Sequence, residues 1–197
     1  LWSVGGMSVN TIPTAVHDRG IVYLTSGYRQ TMLQAVALEH AKGELEDTDA
    51  LVWTHDRDTP YVPSMLLYDD NLYFIKHFKN IFSNLDAATG KANHEPQRLP
   101  GIHNVYASPV GAAGRIYIFD RDGHAVVLEH GKSFKVLAEN SLDEGVDASP
   151  AIVGDELIVR GQKHLYCISA TGTKQASAQG IAPRAGHTTP SGSTAGR

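Results

Sequence analysis

The chain of 197 residues repeats one short phrase four times. In each copy a serine or threonine stands nine residues before the third residue of an apolar run, and in three copies that residue is a tyrosine. The copies begin 50, 44 and 41 residues apart, at Thr14, Ser64, Ser108 and Ser149. A repeat of this length is typical of solenoids and propellers, in which each unit packs mainly on its neighbours.

Every copy contains the same succession of short β-strands. An apolar stretch such as 151–153 is followed by a polar turn, by the strand that usually carries the tyrosine, and by a third strand. Gly, Asn and Asp at the breaks supply the positive φ that tight hairpins need. The pattern predicts an all-β fold of about four four-stranded propeller blades. Residues 30–42 are also rich in helix formers, but their place in the repeat favours the third strand of a blade.

Several segments lie outside the shared phrase. The fourth, outer strand of a unit is clearest at 51–53 and 134–137, and residues 1–4 are interpreted as the outer strand of a preceding copy. The acidic run 44–49 lengthens the first spacing and is expected to be a solvated hairpin. Residues 170–197 contain mostly Ala, Gly, Ser, Thr, Pro and Gln, so we predict a disordered, low-complexity tail.

Composition excludes some functional classes. A hydrophobic content of 42% is enough for a packed core, and a net charge of −4 provides no basic surface for nucleic acid. No apolar run approaches the roughly 18 residues that would indicate a membrane span. The single cysteine, Cys167, excludes an intrachain disulfide.

With this repeat, the chain resembles the PQQ-like β-propeller family of quinoprotein-dehydrogenase-like propellers. Residues 85–91 (LDAATGK) are similar to that family's Ala-Leu-Asp-x-x-Thr-Gly-Lys phrase. The resemblance covers residues 1–169, as a partial propeller with blades beginning near 10, 60, 104 and 145. It implies that Trp2 and Trp53 dock between adjacent blades, and that His94 occupies a third position of this kind.

The resemblance raises the possibility of a quinone dehydrogenase, in which pyrroloquinoline quinone (PQQ) lies over a calcium ion and an aspartate acts as the base. Calcium requires six to eight converging oxygen ligands. The chain offers only Asp147 and Asn104 near the corresponding loops, and it lacks an adjacent cysteine pair. We therefore expect no cofactor, and we interpret Asp147 as capping a turn.

Other catalytic or metal sites are not indicated. The ten histidines lack the spacing of a zinc site. Cys167 lies within an apolar strand, where burial is expected to raise its pKa and make it inert. The hydroxyls of Ser64, Ser108 and Ser149 recur at one structural position, which indicates a structural role in blade docking. The sequence thus predicts no catalytic residue and no metal site.

A binding surface is the remaining candidate. The residues that precede each inner strand are expected to surround one mouth of the central channel. Those best suited to contact a ligand are Tyr61, Tyr106, Asp147 and Asn104, because tyrosines provide large contact areas. The alternative interpretation is that the two tyrosines pack between blades.

These observations lead to one principal hypothesis and two alternatives. The chain is interpreted as the C-terminal part of a larger propeller whose remaining blades lie upstream. The hypothesis is a non-catalytic scaffold that binds a protein partner in the periplasm or outside the cell, similar only in architecture to the propeller lipoprotein of outer-membrane barrel assembly. The alternatives are a PQQ-dependent dehydrogenase completed by upstream blades, and a sensor domain fused to another module.

Overall fold

The computed structural model describes residues 1–76 and 78–170, so all but the first residue of the predicted tail at 170–197 lies outside it. Within the described residues the regular elements are seventeen β-strands, which confirms the all-β prediction. Residues 30–42 contain a strand rather than a helix. The described part of the chain has no helix of the length and apolar character needed to cross a membrane.

The strands form four consecutive antiparallel sheets, which we call blades 1 to 4, and each sheet follows chain order. After β1 (Trp2–Ser3), blade 1 contains β2 (Val16–Asp18), β3 (Ile21–Ser26), β4 (Met32–Ala37) and β6 (Leu51–His55), with β5 (Gly43–Glu44) inserted before β6. Blade 2 contains β7 (Leu66–Tyr68), β8 (Asn71–Lys76), β9 (Ile81–Asp86) and β10 (Gln97–Arg98). Blade 3 contains β11 (Val110–Ala112), β12 (Arg115–Phe119), β13 (His124–Glu129) and β14 (Val136–Ser141). Blade 4 has three strands within the described residues: β15 (Ala151–Val153), β16 (Glu156–Arg160) and β17 (Leu165–Ser169).

The first strands of the four blades lie side by side around a common axis. Consecutive inner strands contact one another, β2 with β7, β7 with β11, and β11 with β15. Among the described residues, however, β15 and β2 share no such contact. The four blades therefore form an open arc around the axis rather than a closed ring.

Tight turns connect the first and second strands of each blade. In blade 3 the turn consists of Ala113 and Gly114, both with positive φ (49° and 71°). Two consecutive residues of positive φ are the signature of the turn whose twist matches the right-handed twist of a hairpin. The polar breaks predicted from the sequence thus correspond to hairpin turns.

The hydrophobic core lies between blades. Tyr23 and Leu33 of blade 1 pack with Leu72 and Phe74 of blade 2. A second cluster joins blades 2 and 3, and a third joins blades 3 and 4 around Val159. Alternate residues of a strand point to opposite faces, so each blade presents one apolar face to the preceding blade and one to the next.

Aromatic residues in the outer strand of blade 1 and just before that of blade 2 occupy these junctions. Trp53 in β6 donates a 3.0 Å hydrogen bond from Nε1 to the carbonyl of Ala87 in blade 2. At the next junction His94 lies near Phe82 and Phe134, with ring centroids 6.2 and 6.0 Å away. His94 therefore fills the interblade space that Trp53 fills one blade earlier.

The N-terminal residues pair with the acidic run 44–49. Strand β1 pairs in parallel with β5, and Gly5 N–H donates a 2.6 Å hydrogen bond to Glu46. Leu45 is fully buried, in a cluster that Trp2 also contacts. The other five residues of 44–49 are exposed, as predicted, but the segment is not a free hairpin, because β5 pairs with β1 and Leu45 anchors the run to blade 1.

Candidate functional site at the upper rim

Different loops form the two ends of the blades. Antiparallel strands place the residues before each inner strand at the same end as the turns between the second and third strands. We call this end the upper rim. The turns between the first and second strands form the opposite end, the lower rim.

The four repeated hydroxyl residues form a hydrogen-bonded series near the upper rim. The backbone N–H of Thr14 donates to Ser64 Oγ, that of Ser64 to Ser108 Oγ, and that of Ser108 to Ser149 Oγ, each at 2.9 Å. Three hydroxyls thus accept equivalent backbone donors from the preceding blade. Their shared role is to hold one blade to the next around the axis.

Three of the four predicted binding residues converge on Arg121, which lies in the turn after β12. The Arg121 guanidinium lies 4.1 Å from the ring centroid of Tyr106, and its Nε donates a 2.5 Å hydrogen bond to Asp147. The backbone N–H of Arg121 also donates to the carbonyl of Asn104 at 2.9 Å. The hydrogen bond that Arg121 donates to Asp147 raises the pKa of Arg121. Arg121 therefore organises a site that joins blades 3 and 4.

Arg121 was not predicted from the sequence. It belongs to a polar turn whose residues differ from copy to copy, so the repeat gave no reason to select it. A basic residue two positions from the end of a strand is an ordinary surface residue unless its partners are known. The three partners come from the loops before β11 and β15, which only the tertiary structure brings to this turn.

Tyr61, the fourth predicted residue, lies in a separate aromatic group between blades 1 and 2. Its ring stacks on Tyr28 with centroids 4.9 Å apart, and its hydroxyl accepts a 2.6 Å hydrogen bond from Asn10 Nδ2. Arg29 lies over the other partner of the stack, 5.3 Å from the centroid of Tyr28. Tyr61 and Tyr106 are both half-buried, so each packs against a neighbour and remains partly accessible to solvent.

Two acidic side chains stabilise the turns beneath this rim. Asp120 is fully buried and accepts hydrogen bonds from the backbone N–H groups of His103, Asp122 and His124 at 2.8–3.0 Å. In blade 4 the corresponding turn is capped by Glu144, whose side chain is 6% exposed.

Glu144 is held as a carboxylate. Its Oε1 accepts hydrogen bonds from Tyr166 Oη at 2.7 Å and from the N–H of His164 at 3.1 Å, and Oε2 accepts one from the N–H of Lys163. Burial alone would raise the pKa of Glu144, but these donors outweigh it and lower the pKa to about 2. Both acids thus fix the backbone geometry of the turns at the upper rim.

Cys167 differs from the prediction in its environment. Its side chain is exposed, on the face of blade 4 directed away from blade 3. Its pKa is nevertheless raised, by partial desolvation and by the neighbouring Glu156. The prediction of a buried thiol was wrong because no further blade covers this face among the described residues.

The lower rim contains an acidic depression. A cavity of about 640 Å³ is lined by His17, Asp18, Arg19, Leu67, Asp69 and Asp70. Arg19 bridges Asp18 and Asp70, so part of the negative charge is neutralised within the cavity. Across residues 1–76 and 78–170, no group of three or more His, Cys, Asp or Glu side chains is arranged to hold a metal ion.

Comparisons with solved structures agree with the propeller architecture. The computationally designed Ika4 protein is 12% identical, with a TM-score of 0.64, over 86% of this chain and 96% of its own. BamB from Moraxella catarrhalis is 17% identical, with a TM-score of 0.56, over 76% of this chain and 43% of its own. Glutaminyl cyclase from Myxococcus xanthus is 12% identical, with a TM-score of 0.53, over 83% of this chain and 68% of its own.

These likenesses show the fold and leave the activity open. No protein-family model matches the sequence, and no curated protein sequence matches it. This chain spans less than half the length of the BamB chain. One similar structure is named as an enzyme and another is a designed protein, so the shared architecture does not by itself determine a reaction. On the strand order and these comparisons, the chain has a β-propeller fold.

Proposed function

We propose that this chain is part of a non-catalytic, PQQ-like propeller scaffold that binds a protein partner through its upper rim. The observation that carries the proposal is the convergence of Tyr106 and Asp147 on Arg121. The side chains of Arg121 and Asp147 are 37% and 46% exposed, so the cluster is accessible while its geometry is fixed. Tyrosine and arginine are the residue types that contribute most to protein–protein interfaces.

The repeated hydroxyls support a scaffold rather than a hydrolase. Ser64, Ser108 and Ser149 each accept a backbone N–H from the neighbouring blade. Their equivalence across blades is explained by this structural bond. A nucleophilic serine would instead need a specific base beside one copy of the repeat.

We also propose an extracytoplasmic location, in the periplasm or outside the cell. This proposal rests on the resemblance to the PQQ-like family and on the architectural likeness to BamB. The net charge of −4 favours a protein partner over a nucleic acid.

Site-specific photo-crosslinking in cells tests the binding surface. A benzophenone amino acid replaces Tyr106 at the upper rim, and in a control it replaces Leu137, an exposed residue on the outer strand of blade 3. We expect a discrete protein adduct from position 106 that is absent from position 137 and is lost when Arg121→Ala is added. Equal adducts at both positions, or none at position 106, would contradict the proposal.

The competing dehydrogenase hypothesis requires PQQ and calcium, and the local residues do not fit that group. Asp147, the candidate ligand and base, is already paired with the Arg121 guanidinium at 2.5 Å. A cation at this position would be repelled by that guanidinium and would have to displace it. Dye reduction that depends on PQQ and calcium and is abolished by Asp147→Asn would favour this alternative over the scaffold.

A further inference from the structure

Two turns at the upper rim hold bulky residues in a backbone conformation that glycine adopts without strain. Arg29, in the turn after β3, has a φ of +62°, and Phe78, in the turn after β8, has a φ of +63°. A side chain with a Cβ crowds the backbone in this left-handed region, so positive φ is unusual for residues of this size. In the corresponding turn of blade 3 the residue with positive φ is Gly123 (92°). Blades 1 and 2 therefore use a more strained solution than the fold requires.

Both of these side chains are exposed rather than packed in the core. Phe78 is 66% exposed, and Arg29 is also exposed, with its guanidinium over the ring of Tyr28. Strained backbone positions are concentrated at functional sites, where the side chain that they present has a use besides folding. The two turns are therefore candidates for a binding surface.

Contacts join the two turns to the loop that follows β6. Lys76 Nζ donates a 2.6 Å hydrogen bond to Asp58 in this loop, which ties the loop to the turn after β8. Tyr61, at the end of the loop, stacks on Tyr28 of the turn after β3. The loop and both turns thus form one surface. We call it the blade 1–2 patch, and its members are Tyr28, Arg29, Tyr61 and Phe78.

The blade 1–2 patch lies in a positively charged region of a chain whose net charge is −4. Four Lys or Arg residues and two Asp residues occur in its three segments, 27–31, 56–61 and 76–80. Within the described part of the chain, three of these cations are exposed and have no ion pair: Arg29, Arg57 and Lys79. Exposed cations beside aromatic rings fit a partner that supplies carboxylates together with an apolar side chain.

We propose that the blade 1–2 patch binds an acidic segment of the same protein partner that contacts the Arg121 cluster. Carboxylates of this segment pair with Arg29 and the neighbouring cations, while an apolar side chain packs on Phe78 and the stacked tyrosines. The Arg121 side chain is already paired with Asp147, so the blade 1–2 patch is better suited to accept the added negative charge. This inference rests on the proposed function and adds to it the chemistry of the partner.

Glycine substitutions separate binding from folding. Arg29→Gly and Phe78→Gly remove the Cβ that is strained at positive φ, but they also add freedom to the unfolded chain. We therefore expect the urea midpoint to stay unchanged or to rise slightly. Ala113→Gly, at an exposed position of positive φ on the lower rim, is the control for this backbone effect. A midpoint that falls below that of Ala113→Gly would show that the two side chains serve the fold, and it would overturn the proposal.

Photo-crosslinking in cells tests what the blade 1–2 patch contacts. A benzophenone amino acid replaces Phe78, and it should capture the same protein that position 106 captures. The crosslinked peptide, identified by mass spectrometry, should contain more Asp and Glu than Lys and Arg. Arg29→Glu should abolish the adduct at position 78, whereas Arg29→Lys should retain it and Ala113→Gly should leave it unchanged.

The outcomes distinguish this inference from the proposed function. An adduct at position 106 without one at position 78, or adducts with two different proteins, would overturn the inference alone. A captured peptide without an excess of acidic residues, or an adduct that nuclease removes, would also overturn it. An adduct at position 78 without one at position 106 would contradict the proposed function and, with it, the shared partner.

Discussion

The backbone N–H of Ser64 donates a 2.9 Å hydrogen bond to the hydroxyl of Ser108, and these two residues occupy the same position in consecutive blades. The same bond joins Thr14 to Ser64 and Ser108 to Ser149. The most conspicuous repeat in the sequence therefore encodes a contact between repeats. This explains why a hydroxyl recurs at each position while the flanking residue varies.

We expect Ser108→Ala to lower the free energy of unfolding by about 1 kcal/mol, because the Ser64 N–H loses its acceptor at a partly buried position. Chemical denaturation measures the change. Ser108→Thr should recover most of it, since threonine retains the hydroxyl. Ser133→Ala removes an exposed serine from the turn after β13 and should be nearly neutral. Equal losses for positions 108 and 133 would disprove the role assigned to this bond.

Gly90 and Trp53 form a coupled pair at the junction of blades 1 and 2. Gly90 has a φ of +68°, and a Cβ at this position would lie 2.6 Å from the Trp53 ring. Gly90→Ala should therefore combine backbone strain with a steric clash and cost about 2–4 kcal/mol of stability.

Gly114→Ala is the matched control for Gly90→Ala. Gly114 has a similar φ of +71°, but a Cβ there would meet no atom within 4 Å. This variant isolates the backbone cost, which should be about 1 kcal/mol. If the two variants are equally destabilised in denaturation experiments, the contact between Gly90 and Trp53 carries no energetic weight.

Glu144 should make stability depend on pH in the acid range. Its pKa is lowered to about 2 in the folded chain, whereas the ordinary value is 4.5. Its stabilising contribution is thus fully present above pH 4.5 and is lost as the pH falls toward 2. Glu144→Gln should lose less stability over this interval than the unmodified chain does. Urea unfolding at several pH values measures the slope, with Glu139→Gln in β14 as an exposed control.

The ion pair between Arg121 and Asp147 should affect binding more than folding. Both side chains are partly exposed, so solvent screening should keep their coupling small in a double-mutant cycle. Arg121→Ala should therefore leave the unfolding midpoint almost unchanged while it abolishes the photo-adduct at position 106. Arg19→Ala removes an arginine that bridges two aspartates at the lower rim, and it should leave the adduct intact. Loss of the adduct in both variants would indicate a general charge effect.

The sequence by itself determined the number of blades in the described residues, 1–76 and 78–170, and the order of their strands. These features follow from local rules, because the alternation of side chains along a strand and the positive φ of a turn depend only on residues that are adjacent in the sequence. Residues 85–91 show this directly, since the Thr89 N–H and hydroxyl bond to Asp86 within a single turn. The all-β blades and the strand at 32–37 were predictable for the same reason.

Only the tertiary structure decided which side chains meet across blades. Arg121 gathers Asn104, Tyr106 and Asp147 from two loops, and no spacing in the sequence indicated that turn. The burial of Cys167 and Leu45 was also decided by the tertiary structure. Cys167 belongs to an apolar strand and is exposed, while Leu45 belongs to an acidic run and is fully buried. Burial depends on whether a neighbouring blade or segment covers a face, and that is a property of how the repeats pack around their axis.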